Sequence, residues 1–292
     1  MTATPPATRT SPGEEARLLE TREVTPGRHL LTWAAPALAR AVQPGQFVHS
    51  LWPRAPGLLL PAVPVAGFER TAGTIRTLHS RAPATAEGLL ALRPGDTAML
   101  EGPLGRGFVL DPRSRYLLVV ADAAGFGRVR SVVDEAVAGG RQVTVLLGAR
   151  SVAEVYPSSL LPDEAEYVVA TADGSLGTPG HVSELVPQYE AWADQCFAAG
   201  AADLLARLAM LAKGRDGRMG VARLGRRRGK RSERGGTDAR RRAWLQLALA
   251  HEAGCALGVC AGCTVEGTQG PLRVCREGPA FAASELRWEP GS

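Results

Sequence analysis

Four cysteines near the C-terminus carry the chemistry most clearly written in this sequence. Cys255, Cys260, Cys263 and Cys275 are spaced C-x4-C-x2-C-x11-C. Four thiolates presented this way can hold two irons. The x4 gap wraps one side of a small cluster, the x2 pair closes the other, and the fourth ligand returns from a separate segment. Gly254, Gly258 and Gly262, with Ala256 and Ala261, keep the loop almost free of bulk, so backbone N–H groups can approach the sulfides. This is the ligand spacing of a plant-type 2Fe–2S centre. A zinc ribbon would show two C-x2-C pairs, and only one is present. A disulfide framework belongs to small secreted chains, and neither condition is indicated. A mixed site using His251, four residues before Cys255, is conceivable; a solvated histidine on the preceding segment is the simpler reading. The fifth cysteine, Cys196, sits in an apolar run and reads as a small buried hydrophobe.

The elements that must position these cysteines are legible as changes of texture. Residues 1–16 read as a disordered tail. Residues 17–111 contain short alternating runs punctuated by Pro26-Gly27, Pro44-Gly45 and Pro94-Gly95, with further strands near 59–67, 74–80 and 96–102. That pattern predicts an antiparallel β-barrel. From 112 to 212 the texture becomes α/β. The continuous apolar runs at 116–121 and 143–147 are strands buried on both faces, followed by strands at 167–170 and 195–199. Helices are expected at 129–138 and 201–212, giving a parallel sheet with right-handed crossovers. Residues 213–242 read as a Gly/Arg-rich linker. Residues 243–292 form a small C-terminal 2Fe–2S domain, entered through a helix over WLQLALAHE. The fold class expected is therefore multidomain β and α/β: an N-terminal antiparallel barrel, a central parallel nucleotide-binding sheet and a cluster domain.

Composition narrows the function further. The linker holds thirteen Lys or Arg against three acids in a chain whose net charge is only +5, so the rest of the chain is acidic. The excess charge belongs to one segment and not to a basic fold. No aromatic or folded recognition motif accompanies it, so a solvated linker is expected rather than a nucleic-acid site. Steering of an acidic redox partner is a third use for such charge. No run of eighteen apolar residues and no secretory h-region is visible, which predicts a cytoplasmic chain without a membrane span. The five histidines are scattered, and no Gly-x-Ser-x-Gly or Ser/His/Asp spacing supports hydrolysis.

Several stretches resemble the electron-transfer subunits of two-subunit dihydroorotate dehydrogenases, within the ferredoxin–NADP reductase superfamily. Pro44-Gly45-Gln46-Phe47 is similar to the barrel's PGQF, and Gly102 to Phe108 (GPLGRGF) to the end of the flavin domain. The run from Val143 to Gly148 with Arg150-Ser151, the Thr171-Ala172-Asp173-Gly174-Ser175 segment with Gly177, and Gly180-His181-Val182 resemble the nucleotide domain. Cys255, Cys260, Cys263 and Cys275, followed by Glu277-Gly278-Pro279-Ala280-Phe281, resemble the cluster loop and its trailing D-G-P-x-F. The resemblance implies a 2Fe–2S cluster, FAD, NAD(H) and a catalytic dehydrogenase partner subunit in pyrimidine biosynthesis. It implies cofactor contacts from Pro61, Ala62, Val63, Pro64 and Thr85 on the flavin side, and from Gly125 and Gly127 on the nicotinamide side. No acid–base catalytic residue is expected, because the cofactors do the redox chemistry.

The departures are concentrated in the nucleotide loops. Where the family has R-P-x-S, this chain has Pro61-Ala62-Val63-Pro64, without the guanidinium or the hydroxyl. The Gly-x-Gly-Thr loop is Pro83-Ala84-Thr85-Ala86, which removes an N–H and adds Cβ atoms. The GGG-x-G loop is Ala121-Asp122-Ala123-Ala124-Gly125, with a carboxylate where a pyrophosphate is expected. The C-G-P segment is Ala199-Gly200-Ala201, without its cysteine. Two alternatives therefore stand beside the leading one: an electron-transfer subunit for another reductase or a hydrogenase, and a non-catalytic cluster-binding paralogue with decayed nucleotide sites.

Overall fold

The computed structural model describes residues 13–51, 62–80, 87–222, 237–250, 255 and 258–288. Six antiparallel strands close a barrel in the order β1-β2-β5-β4-β3-β6 among these residues. They are β1 (Glu14–Thr25), β2 (Arg28–Ala34), β3 (Phe47–Leu51), β4 (Ala62–Glu69), β5 (Thr74–Ser80) and β6 (Thr97–Leu104), with short helices α1 (Pro36–Ala41) and α2 (Glu87–Leu90) between them. Alternation in the sequence becomes alternation in burial. On β5, Ile75 and Thr77 point inward while their neighbours stay half-exposed. Leu18, Leu31, Trp33, Val48, Val65, Ile75 and Leu100 fill the barrel, and the Trp33 indole N–H donates to Thr77 Oγ1 at 2.9 Å. Strand β1 starts at Glu14, inside the stretch expected to be tail.

The second layer is a sheet of seven strands among the described residues, in the order β10-β9-β8-β7-β11-β12-β15. It comprises β7 (Tyr116–Asp122), β8 (Gln142–Ala149), β9 (Glu166–Thr171), β10 (Thr178–Pro179), β11 (Gln195–Ala199), β12 (Leu245–Ala248) and β15 (Ala280–Ala282). Leu117 to Ala121 are fully buried, as a strand covered on both faces requires. Helices α3 (Phe126–Ala138), α4 (Val186–Tyr189), α5 (Ala202–Ala222) and α6 (Thr237–Arg242) complete the layer. Strands β13 (Thr264–Gly267) and β14 (Gly270–Arg273) form a separate hairpin.

Two expectations are corrected here. The helix expected over WLQLALAHE is strand β12, paired parallel to β11 and antiparallel to β15. Leu245, Gln246, Leu247 and Ala248 are all buried, so neighbouring strands outweigh the helical propensity of Leu and Ala. Gln246 is tolerated because it is fully used: Oε1 accepts from Val109 N–H at 2.9 Å and Nε2 donates to Val109 O at 2.6 Å. The stretch read as linker is partly helical, with α5 running to Ala222 and α6 beginning at Thr237. The basic residues at 223–236 lie outside the described residues.

Barrel and sheet are locked together by a buried arginine on α3. Arg130 is 5% exposed. Its Nη1 donates to Ala66 O of the barrel at 2.8 Å and to Asp134 Oδ2 at 2.7 Å, and its Nε donates to Leu160 O at 2.6 Å. Burial lowers the Arg130 pKa and raises that of Asp134, and their mutual attraction opposes both shifts.

Candidate metal centre and nucleotide cleft

The cysteine segment is an excursion between β12 and β15. It is held by several anchors. Arg106 N–H donates to Gly278 O, and Ala280 N–H returns to Arg106 O at 3.2 Å, tying the end of the barrel to the segment. Arg240 of α6 donates from Nε to Glu285 at 2.7 Å and from Nη2 to Glu277 O at 2.8 Å. Cys263, Val274, Cys275, Phe281 and Leu286 pack in one apolar cluster with Phe47 of the barrel, and Ala62 packs against it.

The cysteines form two linked pairs. Cys260 N–H donates to Cys255 Sγ at 3.4 Å, and Cys275 N–H donates to Cys263 Sγ at 3.4 Å. Positive φ at Gly258 (75°) and Ala261 (55°) bends the loop between ligands; glycine takes this conformation freely, whereas the Cβ of Ala261 is crowded in it. Burial, together with the neighbouring Cys263, pushes the Cys275 thiol up to about 12. A metal would therefore have to displace its proton on binding. All five cysteines are thiols rather than disulfides. Among the described residues, no three His, Cys, Asp or Glu side chains gather tightly enough to hold a metal ion. A single zinc would draw all four sulfurs to about 2.3 Å from one point. Four sulfurs, two of them accepting backbone N–H groups, in a loop with little bulk, are soft donors of the kind a two-iron, two-sulfide core takes. Cys196 is fully buried on β11, and burial holds its thiol well above the usual range, in keeping with a small core residue.

On the flavin side, Pro61 and Thr85 lie outside the described residues. Val63 points into the barrel core, while Ala62 faces the cysteine cluster. Pro64 stands opposite Phe47 in register. Next along β3, His49 is 2% exposed and opposite Ala62, and its Nε2 has no partner. Burial lowers its pKa to about 4, so the ring is neutral at neutral pH. An orphaned buried imidazole nitrogen on this face suits a hydrogen-bonding ring system. Ala62 and Pro64 offer no group that would hold a flavin phosphate. Sequence reasoning passed over His49 because a lone histidine in a strand carries no motif.

The two glycines assigned to the nicotinamide side have packing neighbours. A Cβ on Gly127 would lie 3.2 Å from Leu78 and 3.5 Å from Pro64, so this residue seats α3 on the barrel. A Cβ on Gly125 would lie 2.0 Å from Ala199 O, so only glycine lets α3 approach the end of β11. Beside them, at the carboxyl ends of the strands, opens a cleft of about 540 Å³ lined by Arg28, Asp122, Gly148, Arg150, His181 and Asp203, among others. This is where ligands of parallel sheets bind. Asp122 dominates its floor. Oδ1 accepts from Ala124 N–H at 2.9 Å and Gly125 N–H at 2.7 Å, and Oδ2 accepts from Ala201 N–H at 2.6 Å. These amides, at the starts of α3 and α5, are the groups a pyrophosphate would use. Arg150 is paired with Glu154, and His181 Nε2 lies 3.5 Å from Asp203.

The segment 252–287 matches the model of the iron–sulfur cluster binding domain of dihydroorotate dehydrogenase B. The NAD(+)-dependent dihydroorotate dehydrogenase B electron-transfer subunit of Desulforamulus reducens is 29% identical over 283 residues, covering 94% of this chain and 98% of the relative. That of Shouchella clausii is 27% identical over 251 residues, covering 84% and 86%. The chain is thus similar along most of its length to these electron-transfer subunits. Its fold is that of the ferredoxin–NADP reductases. An NADH-dependent reduced ferredoxin–NADP oxidoreductase superposes with a TM-score of 0.73 at 18% identity, covering 94% of this chain and 90% of the other. A Neisseria gonorrhoeae ferredoxin NADP+ reductase with bound FAD and NADP gives 0.58 at 14% identity, covering 82% and 100%. No helix among the described residues is long and apolar enough to cross a membrane.

Proposed function

We propose that this chain is the electron-transfer subunit of a two-component cytoplasmic dehydrogenase, by kinship one that oxidises dihydroorotate in pyrimidine biosynthesis. The observation that carries the proposal is the set of four cysteines in two N–H···S pairs, of which Cys263 and Cys275 pack in one cluster with Phe47 of the barrel. In this reading Cys255, Cys260, Cys263 and Cys275 hold a 2Fe–2S cluster. FAD lies along the barrel face bearing His49, Ala62 and Pro64, and NAD(H) enters the cleft above Asp122. When bound, these groups supply single-electron and hydride chemistry. The chain's own contribution is spatial. Phe47, Phe281 and Leu286 exclude water beside Cys263 and Cys275, and the ties of Arg106 to Gly278 and Ala280 fix the cysteine segment against the barrel.

The test is anaerobic purification with the candidate catalytic subunit co-expressed. The expected outcome is a co-eluting complex with two irons and two acid-labile sulfides per chain, together with flavin. Colourless protein containing zinc and no sulfide sinks the reading. A second reading, a cluster-binding relative with little nucleotide use, is favoured by Asp122 already holding the amides of the turn. It predicts iron and sulfide without flavin or NAD(H) binding.

A further inference from the structure

We infer that Arg273 and Glu277 form an electrostatic clamp that sets the reduction potential of the centre held by the cysteines. The inference rests on the cluster-binding reading above. Arg273 lies two residues before Cys275, at the end of β14. Its Nη1 donates to Gly258 O at 2.9 Å, in the loop between Cys255 and Cys260. One guanidinium thus bridges the segment carrying the last ligand and the loop carrying the first two. Glu277 fixes that guanidinium on its other side: Oε2 accepts from the Arg273 backbone N–H at 2.8 Å and Nε at 3.2 Å, and Oε1 accepts from Nη2 at 3.0 Å. Arg276 adds a second cation, with Nε 3.7 Å from Glu277 Oε1. The stems of both arginines cover Gly258. A Cβ there would lie 3.0 Å from Arg276 Cδ and 3.6 Å from Arg273 Cδ.

Two cations and one carboxylate leave a net positive charge on the loop between Cys255 and Cys260 and on the segment that carries Cys275. Reduction makes an iron–sulfur centre more negative, so nearby positive charge stabilises the reduced form and raises the potential. The side chains of Arg273, Arg276 and Glu277 are 35%, 29% and 22% exposed, so salt screens the effect only in part. A purely structural clamp would change cluster retention alone. An electrostatic clamp makes a signed prediction as well: removing the cation and removing the anion move the potential in opposite directions.

The experiment is a redox titration of the full-length chain, followed by electron paramagnetic resonance at low ionic strength, with iron and sulfide assayed on every sample. Wild-type protein without iron and sulfide overturns the proposed function itself. Given a loaded wild type, Arg273→Gln is expected to lower the potential and Glu277→Gln to raise it. Each shift should be of the order of a tenfold change in the reduction equilibrium, about 59 mV for a one-electron couple. Arg273→Lys keeps the charge but not the fork, so its potential should stay near wild type while a chelator strips its iron severalfold faster. The clamp is overturned if the two neutralising variants leave the potential unmoved or shift it in the same direction. If Arg273→Gln does not retain the centre, Glu277→Gln decides alone, with an upward shift supporting the inference and no shift or a downward one ending it.

Discussion

The cysteine segment and the cleft above Asp122 differ in how far their binding groups are left available. In the segment, every group that could bind an inorganic cluster is present: four sulfurs, N–H donors toward two of them, and a loop too small-sided to obstruct the core. In the cleft, the space remains but its best anion-binding groups are engaged internally. Three amides that would meet a pyrophosphate instead meet the Asp122 carboxylate. A charge-assisted hydrogen bond of this kind is roughly twice as strong as a neutral one, so an incoming phosphate must compete with a resident anion. The contrast shows that strand order and loop chemistry are separate properties: the same sheet that positions the cleft does not decide which groups in it are left unpaired.

The largest effect is expected from Cys263→Ser or Cys275→Ser, which should abolish the visible iron–sulfur bands, while Cys196→Ser leaves them in place. Equal loss in all three would remove the distinction drawn between ligand and core cysteines. Next is Arg130→Ala at the seam between barrel and sheet. It strands the carbonyls of Ala66 and Leu160 and leaves Asp134 without its partner. The expected cost is about 3–5 kcal/mol in urea unfolding; a loss below 1 kcal/mol would mean the seam does not depend on this residue.

A third effect concerns acid. His49 and His79 have pKa values lowered by burial to about 4 and about 3, from 6.5. The unfolded chain therefore binds more protons below pH 6.5, and stability falls as pH drops through that value. At pH 5 each histidine should cost about 2 kcal/mol, at 1.36 kcal/mol per unit. His79→Gln should flatten the pH dependence of the urea midpoint between pH 7 and 5, and an unchanged slope would refute this assignment. The smallest effect is expected in the cleft. Asp122→Gly frees the three amides and should tighten NADH binding about tenfold by fluorescence titration, or about 1.4 kcal/mol. Unchanged or weaker binding would show that the carboxylate does not compete.

Much of this architecture is legible in the amino-acid sequence. The apolar runs at 116–121 and 143–147 predicted buried strands because continuous hydrophobicity has few other uses, and both are central in the sheet. The turns at Pro26-Gly27 and Pro94-Gly95 separated strands that do close a barrel. What escaped depended on partners distant in sequence. Leu245–Ala248 reads as helix in isolation and becomes a strand because β11 and β15 offer hydrogen bonds on both edges. Arg130 carries no motif, and its carbonyl partners at Ala66 and Leu160 lie far from it in sequence, so nothing nearby in the chain points to them. The sequence places the Asp122 carboxylate where a pyrophosphate is expected, but its bond to Ala201, from a different crossover, does not follow from spacing.

The cysteine excursion leaves the sheet at the end of β12 and comes back as β15, the strand lying next to it. Its two stems are thus sewn together by the backbone ladder before any cofactor arrives. The excursion behaves as a cassette with a pre-closed neck: stripping the inorganic core should loosen the tip and spare the seam beneath it. A similar loop from another protein, spliced between the same two stems, would inherit a finished socket.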